Sequence, residues 1–131
     1  MHKRKLHKIP FGKEIEENLI NSLRMAGIRL KTGAELDHNH KIDFVLKLKS
    51  EDVGVQFSLR HDGIKAKVAK ICALDVVPRF IYLTVAKEYF DQPDKKNGKD
   101  LYRFLNYVAE RYSEKALSIN IDHSGLEVQA L

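Results

Sequence analysis

The sequence predicts an α/β protein built on a mixed β-sheet that is flanked by helices. Segments with apolar residues at helical spacing alternate along the chain with β-branched and aromatic segments. Two of the extended segments follow each other across a short polar turn, which is typical of an antiparallel hairpin. Hydrophobic residues make up 44% of the 131 residues and charged residues 31%, which is the balance of a soluble globular protein.

The first half of the chain is predicted to start with a helix over residues 13–26, which Gly27 ends, and to continue with a short strand over 28–31. Residues 41–48 and 53–60 both alternate between apolar and polar side chains and form the predicted hairpin. One face of the first strand is expected to carry Ile42, Phe44, Leu46 and Leu48. The apolar face of the second carries Val53, Val55, Phe57 and Leu59, with Gln56, Ser58 and Arg60 opposite.

The second half is predicted to hold a helix over about 63–75, a central strand over 80–86, a polar loop over 91–100 and a helix over about 99–114. The inward stripe of the first of these helices is expected to be Ile64, Val68, Ile71 and Leu74. The inward stripe of the helix over about 99–114 is expected to be Leu101, Phe104, Leu105, Val108 and Tyr112. Two strands, over 116–121 and 126–131, complete the order α, β, β, β, α, β, α, β, β, so that residues 13–131 form one α/β domain.

Residues 1–12 are predicted to be a basic arm ahead of this domain. Five basic residues and no acidic residue fall within residues 1–13, namely Lys3, Arg4, Lys5, Lys8 and Lys13. The other 118 residues balance 18 basic against 18 acidic side chains, so the formal net charge of +5 equals that of residues 1–13. Such an arm can hold nucleic-acid phosphates, and a solvated terminus is the alternative.

The chain is expected to work in the cytoplasm without a membrane. No apolar run approaches the ~20 residues that span a bilayer, and no apolar segment follows the charged start as in a secretory signal. Cys72 is the only cysteine, which excludes an internal disulfide and fits a reducing compartment. Its apolar neighbours predict a buried thiol.

Four polar residues interrupt apolar segments of the first half. Glu16 projects near the edge of the apolar stripe of its helix, Asp43 lies within a strand, and Gln56 and Ser58 share one face of the next strand. If these faces meet, four oxygen-bearing side chains converge, and oxygen ligands suit Mg²⁺. The alternatives are a glutamate that reaches solvent or pairs with a lysine, and a hairpin with one solvated polar face.

The spacing of these residues resembles a nuclease family. The run Glu16-x-x-Leu19-Ile20-x-x-Leu23-x-x-x-Gly27, then Lys41-Ile42-Asp43-Phe44-Val45, then Val55-Gln56-Phe57-Ser58 is similar to the restriction-endonuclease-like, or PD-(D/E)xK, superfamily. It is most similar to the branch with the Holliday-junction resolvases. The resemblance implies an αβββαβ core, which the elements over residues 13–86 follow, with the C-terminal helix and strands added.

The resemblance implies a metal-dependent DNA endonuclease. Glu16, Asp43 and Gln56 match the residues that hold Mg²⁺ or Mn²⁺ in the family. Ser58 stands where the family has a lysine that steadies phosphate charge, so another cation has to replace it. We favour Lys67 on the following helix, and Lys65 and Arg60 are alternatives.

Loss of the active site is an open alternative, because serine carries no charge. The chain would then be a catalytically inactive nucleic-acid-binding module on the same fold. A third hypothesis is a protein-interaction subunit, with a homodimer as one form of it. In the nucleic-acid hypotheses DNA is the expected partner, and Lys3, Arg4, Lys5, Lys8, Lys13 and Arg60 are the expected phosphate contacts.

The segment Asp37-His38-Asn39-His40 carries two histidines that could share one side of an extended segment, as in some zinc sites. Zinc needs a third and a fourth ligand, and the sequence has no cysteine pair or second close histidine pair. We therefore predict a polar turn before the strand at residue 41.

Overall fold

The structure is a computed structural model that describes residues 11–131, and it has the predicted α/β class. Within these residues, four α-helices and a 3₁₀ helix flank one six-stranded sheet. The helices are α1 (Phe11–Met25), α2 (Ala34–His40), α3 (Gly63–Ala73) and α4 (Lys95–Arg111), and the 3₁₀ helix is Lys87–Phe90. The strands are β1 (Leu30–Lys31), β2 (Phe44–Lys47), β3 (Asp52–Ser58), β4 (Phe80–Val85), β5 (Ala116–Asp122) and β6 (Gly125–Ala130).

The strands lie side by side in chain order, and the sheet is mixed. The pairs β1–β2 and β2–β3 are antiparallel, so the predicted hairpin is confirmed. The pairs β3–β4 and β4–β5 are parallel, with α3 and α4 in the two crossovers, and β5–β6 is an antiparallel hairpin. All six residues of β4 are buried, which confirms the predicted central strand.

Two clusters of buried side chains lie on the two faces of the sheet. The first face packs against α1 and α4, which contribute Leu19, Leu23, Leu105 and other apolar residues to the larger cluster. The second face packs against α3, which contributes only alanines, namely Ala66, Ala69 and Ala73. The second cluster is smaller because α3 brings small side chains to the sheet.

The ends of α1 and α3 have clear causes in the sequence. Gly27 has a φ of 79°, and its N–H bonds to Arg24 O while that of Ile28 bonds to Leu23 O, which is a Schellman motif. The predicted stop at Gly27 is thus confirmed. Asp62 caps α3 by accepting the N–H groups of Ile64 and Lys65.

The predicted inward stripe of α3 is wrong. Ile64, Val68 and Ile71 are exposed, and only Leu74 of the four is partly buried against the second cluster. The helix instead turns its alanines toward the sheet, where Ala66, Ala69 and Ala73 are buried in the second cluster. Cys72, predicted as a buried thiol, is partly exposed for the same reason.

Three further predictions need correction. Residues 34–40, predicted in part as a polar turn, form helix α2. Helix α4 begins at Lys95, inside the predicted loop, because Asp94 accepts the N–H of Asn97 as its cap. Tyr112 is exposed rather than inward, since α4 ends at Arg111. None of the helices within residues 11–131 has the length and the apolar content of a membrane span.

Candidate functional site: a carboxylate cavity between α1, α2 and β2

A cavity of about 500 Å³ opens where the start of β2 meets α1 and α2. Glu16 of α1 and Asp43 line it together, as the sequence predicts. Glu16 is 8% exposed and belongs to the buried side of its helix. The cavity therefore brings together two carboxyl groups that are 27 positions apart in the chain.

Asp43 reaches this cavity because the backbone bulges at the start of β2. The N–H of Asp43 donates to Val55 O at 2.8 Å, although Val55 is already the ladder partner of Phe44. Two residues of one strand thus face one residue of the other, as in a β-bulge. The predicted alternation fails at this point: Ile42 packs in the second cluster, while Phe44 packs in the first. Asp43 was expected on the face opposite Phe44, and the bulge turns it to the α1 side instead.

The carboxylate of Asp43 is held in place by the neighbouring strand. Its Oδ2 accepts the backbone N–H of Phe57 at 2.7 Å. Burial, and after it the nearby negative charge of Glu16, together raise the pKa of Asp43 to about 8, against the opposing effect of the Phe57 N–H. At neutral pH the site therefore retains a proton that a bound cation would displace.

Glu16 has a basic partner in the same cavity. Lys13 Nζ lies 3.0 Å from Glu16 Oε2, one helical turn before it. Burial raises the pKa of Glu16, and the hydrogen bond from Lys13 opposes that rise. The same hydrogen bond raises the pKa of Lys13. Arg24, about two turns further along α1 than Glu16, adds a second cation to the lining.

Gln56 does not line the cavity. It follows Gly54 along the face of β3 that meets the second cluster, and its parallel partner Tyr82 belongs to that cluster. Its Oε1 atom is buried and has no hydrogen-bond partner within residues 11–131. The predicted convergence of Gln56 with Glu16 and Asp43 is therefore absent, because the bulge reverses the face of Asp43 and leaves that of Gln56 unchanged.

The other predicted site residues also lie away from the cavity. Ser58 Oγ donates to Arg60 O at 2.6 Å and accepts the Arg60 N–H, so Ser58 serves a local turn. Lys65 and Lys67 are exposed on α3, on the other side of the sheet from α1. Among the predicted phosphate contacts, Lys13 lines the cavity and Arg60 is exposed. Lys3, Arg4, Lys5 and Lys8 lie outside the described residues.

Helix α2 brings two side chains to the cavity that the sequence reading placed in a turn. Asp37 and His38 both line it, whereas His40 does not. The charge of Asp37 also acts to raise the pKa of Asp43. A signal was available, since Ala34-Glu35-Leu36 has high helix propensity and follows Gly33, which stands at the N-cap.

The cavity does not hold a complete set of metal ligands. Within residues 11–131, no three His, Cys, Asp or Glu side chains stand close enough to hold a metal ion together. Two carboxylates do meet there, which is the number that Mg²⁺ often takes from a protein, with water and substrate phosphate as its other ligands. No protein-family model, curated protein or solved structure matches this chain.

Proposed function

We propose that this protein is a divalent-metal-dependent nuclease that cleaves DNA phosphodiesters on a restriction-endonuclease-like fold. The observation that carries the proposal is the meeting of Glu16 and Asp43, from α1 and the start of β2, in one open cavity. The element order supports it as well, because α1, β1, β2, β3, α3 and β4 repeat the αβββαβ order, with α2 as an insertion.

The donor set at the cavity suits a hard cation. Asp43 keeps one carboxylate oxygen free of the Phe57 bond, and Glu16 offers the oxygen that Lys13 does not contact. Mg²⁺ or Mn²⁺ bound there would neutralise phosphate charge during hydrolysis. The raised pKa of Asp43 fits this role, since a buried carboxylate with a carboxylate neighbour is stabilised by an added positive charge.

Lys13 takes the role that the resemblance gives to the missing lysine. It lies at the cavity beside Glu16, whereas Lys67 and Ser58 do not line it. Its ammonium group would hold a phosphate oxygen next to the carboxylates, and its raised pKa keeps it charged at neutral pH. Asp37 also lines the cavity, as a further acidic group beside the two carboxylates that would hold the cation.

The test is cleavage of supercoiled and branched DNA in Mg²⁺ or Mn²⁺. Asp43→Asn retains the acceptor for Phe57 and removes the charge, so we expect cleavage to be lost. Lys13→Met is expected to lower the rate by about 100-fold, a typical effect of removing one charge-stabilising group. Glu14→Gln is the matched control, because Glu14 lies on the same helix and is exposed and outside the cavity lining.

Metal binding gives a second readout that needs no activity. Mg²⁺ is expected to raise the melting temperature of the wild type and of Glu14→Gln, and to leave that of Asp43→Asn unchanged. Cleavage that survives in Asp43→Asn, or a wild type that Mg²⁺ does not stabilise, would overturn the proposal.

The alternative function is DNA binding without cleavage. Two observations favour it: Ser58 is engaged in a local turn, and Gln56 points to the other face of the sheet. A wild type that binds DNA but cleaves none with either metal would decide for this alternative.

A further inference from the structure

The strongest unassigned surface is a groove of about 810 Å³ at the far end of β2 from Asp43. It lies between α4, the segment after α1 and the end of β2. Its lining contains five basic side chains, Arg29, Lys47, Lys49, Lys99 and Arg103, and one carboxylate, Glu110. We name it the basic groove.

Three cations of the basic groove have no acidic partner among residues 11–131. Among the described residues, no carboxylate lies within 4.0 Å of Arg29, Lys49 or Lys99. Lys47 and Arg103 make long, exposed pairs, at 3.8 Å with Asp52 and 3.7 Å with Asp100. Exposed pairs of this kind are weak and are readily exchanged for another anion.

The floor of the groove is held by hydrogen bonds between β2 and α4. Tyr102 Oη donates to Lys47 O at 3.1 Å, and the N–H of Lys49 donates to Asn106 Oδ1 at 2.9 Å. These bonds bracket Leu48, which is buried in the first cluster. The backbone of Lys47 and Lys49 is therefore held in place, so that less conformational entropy is lost when their side chains bind an anion.

The basic groove continues toward the carboxylate cavity. A second depression shares Arg29 and Lys47 with the groove and adds Lys31. It also shares Arg24 with the cavity of Glu16 and Asp43. The distance along β2 from Asp43 to Lys47 is about 13 Å at the usual rise of a strand. The cations thus form a row on the surface from the basic groove to the cavity of Glu16 and Asp43.

A row of cations fits a polyanion with regularly spaced charges better than a single small anion. Tyr107 at the groove is 51% exposed, and the guanidinium of Arg111 lies 4.3 Å from its ring centre. An exposed tyrosine beside arginine is a surface on which a base can stack. We infer that the basic groove binds the phosphate backbone of DNA and directs it along Arg29, Lys31 and Arg24 to the cavity. This inference deepens the proposed function, because it names the surface that holds the substrate.

The test compares two double variants with equal change of charge. Lys49→Glu with Lys99→Glu alters the groove, and Lys65→Glu with Lys67→Glu alters the exposed side of α3, on the second face of the sheet. All four lysines are exposed, so both proteins are expected to keep the wild-type melting temperature. Binding of a labelled duplex of about 20 base pairs is followed by fluorescence anisotropy without divalent metal, so that cleavage plays no part.

We expect the groove variant to bind at least about tenfold more weakly than the α3 variant at equal salt. The logarithm of its binding constant should also decrease less steeply with the logarithm of the salt concentration. The magnitude of that slope should be smaller by about 2, one unit for each lost phosphate contact. Equal weakening in the two variants, or no binding by the wild type, would overturn the inference. A single strand that binds more tightly than the duplex and still depends on Lys49 and Lys99 would support it, with the base-stacking surface at Tyr107 in use.

The two proposals can fail separately. Asp43→Asn is expected to bind DNA as the wild type does while losing cleavage. If the wild type does not cleave but binding still depends on the groove lysines, the groove inference stands and the nuclease proposal falls. If the wild type cleaves DNA and the groove variant binds DNA as tightly as the wild type does, the nuclease proposal stands and the groove inference falls.

Discussion

Asp43 accepts the backbone N–H of Phe57 at 2.7 Å with its side chain, at the point where the ladder between β2 and β3 ends. In a regular ladder a backbone carbonyl of the neighbouring strand would accept the N–H of Phe57. Because the bulge removes that carbonyl, the carboxylate of Asp43 accepts the N–H instead. This single bond links strand pairing to the site, because it holds the buried acid of the cavity in one orientation. It also means that a replacement at Asp43 must keep an acceptor if the strands are to stay paired.

The stability of the protein should depend on the ionisation of Asp43. An aspartate in an unfolded chain has a pKa of about 3.9, and burial together with the charge of Glu16 raises that of Asp43 to about 8 in the folded protein. The folded state therefore binds the proton more tightly, so this contribution to stability is complete below about pH 4 and is lost as the pH rises through 8. We expect the free energy of unfolding to fall across this window, by up to about 1.4 kcal/mol per pH unit.

Asp43→Asn should remove most of that pH dependence and be more stable than the wild type at pH 8. Urea denaturation between pH 5 and about pH 9, followed by circular dichroism, measures the effect. Asp75→Asn at an exposed position controls for the loss of one charge. Parallel stability profiles for the wild type and Asp43→Asn would show that Asp43 is not buried as described.

Arg79 should be among the side chains whose loss costs most stability. It is 7% exposed and donates to Glu51 Oε2 at 2.6 Å, to Ala109 O at 2.8 Å and to Tyr112 O. It thus ties the start of β4 to the end of α4 and to the turn before β3. Arg79→Met leaves Glu51 and these carbonyls without a donor, so we expect a loss of about 3–5 kcal/mol in urea denaturation.

The matched change for Arg79 is Lys96→Met, which breaks an exposed pair with Asp100 at 3.1 Å. Exposed pairs contribute about 0–1 kcal/mol, so this variant should unfold close to the wild type. A similar small loss in both variants would mean that Arg79 is solvated in solution.

Apart from α2 and the 3₁₀ helix, the element order could be predicted from the sequence, because periodicity reports which residues are apolar and how far apart they lie. The antiparallel hairpin, the stop at Gly27 and the buried β4 were all predicted in this way. These features depend on local spacing alone. That Glu16 and Asp43 share a site was expected from the resemblance to the nuclease family, since local spacing does not report which helix packs on which strand.

The remaining features depend on packing, which periodicity does not report. The bulge at Asp43 ends the regular pairing of β2 with β3, so the alternation that placed Gln56 beside it could not hold. On α3 the apolar spacing of Ile64 and Ile71 is helical, but the alanines share the same periodicity on another arc. The close approach of helix and sheet decides between the arcs, and that distance is set by the tertiary structure.

The exposed side of α3 gives a direct test of this correction. Ile64 is 79% exposed and Ile71 is 70% exposed, so changing both to Ser should alter the free energy of unfolding by no more than about 0.5 kcal/mol each. Ala69→Leu is the contrasting change, since overfilling the contact of α3 with the sheet should cost about 1–3 kcal/mol. If the two isoleucines formed the core stripe, the Ser variants would be the ones to unfold. Light scattering on the same samples reports whether these isoleucines support a homodimer.

Gly98 should resist a substitution that helix propensity alone would favour. It lies in α4 where that helix crosses α1, and a methyl group there would overlap the carbonyl of Ser22 and come within 2.9 Å of Leu23 N. Both neighbours are backbone atoms of a helix and cannot move aside. In an open helix, Gly to Ala stabilises by about 1 kcal/mol. We expect Gly98→Ala to destabilise by about 1–3 kcal/mol instead, because the two helices must move apart. Ser113→Ala, at an exposed position after α4, should leave the melting temperature unchanged. A Gly98→Ala protein that melts higher than the wild type would show that α1 and α4 do not approach each other this closely.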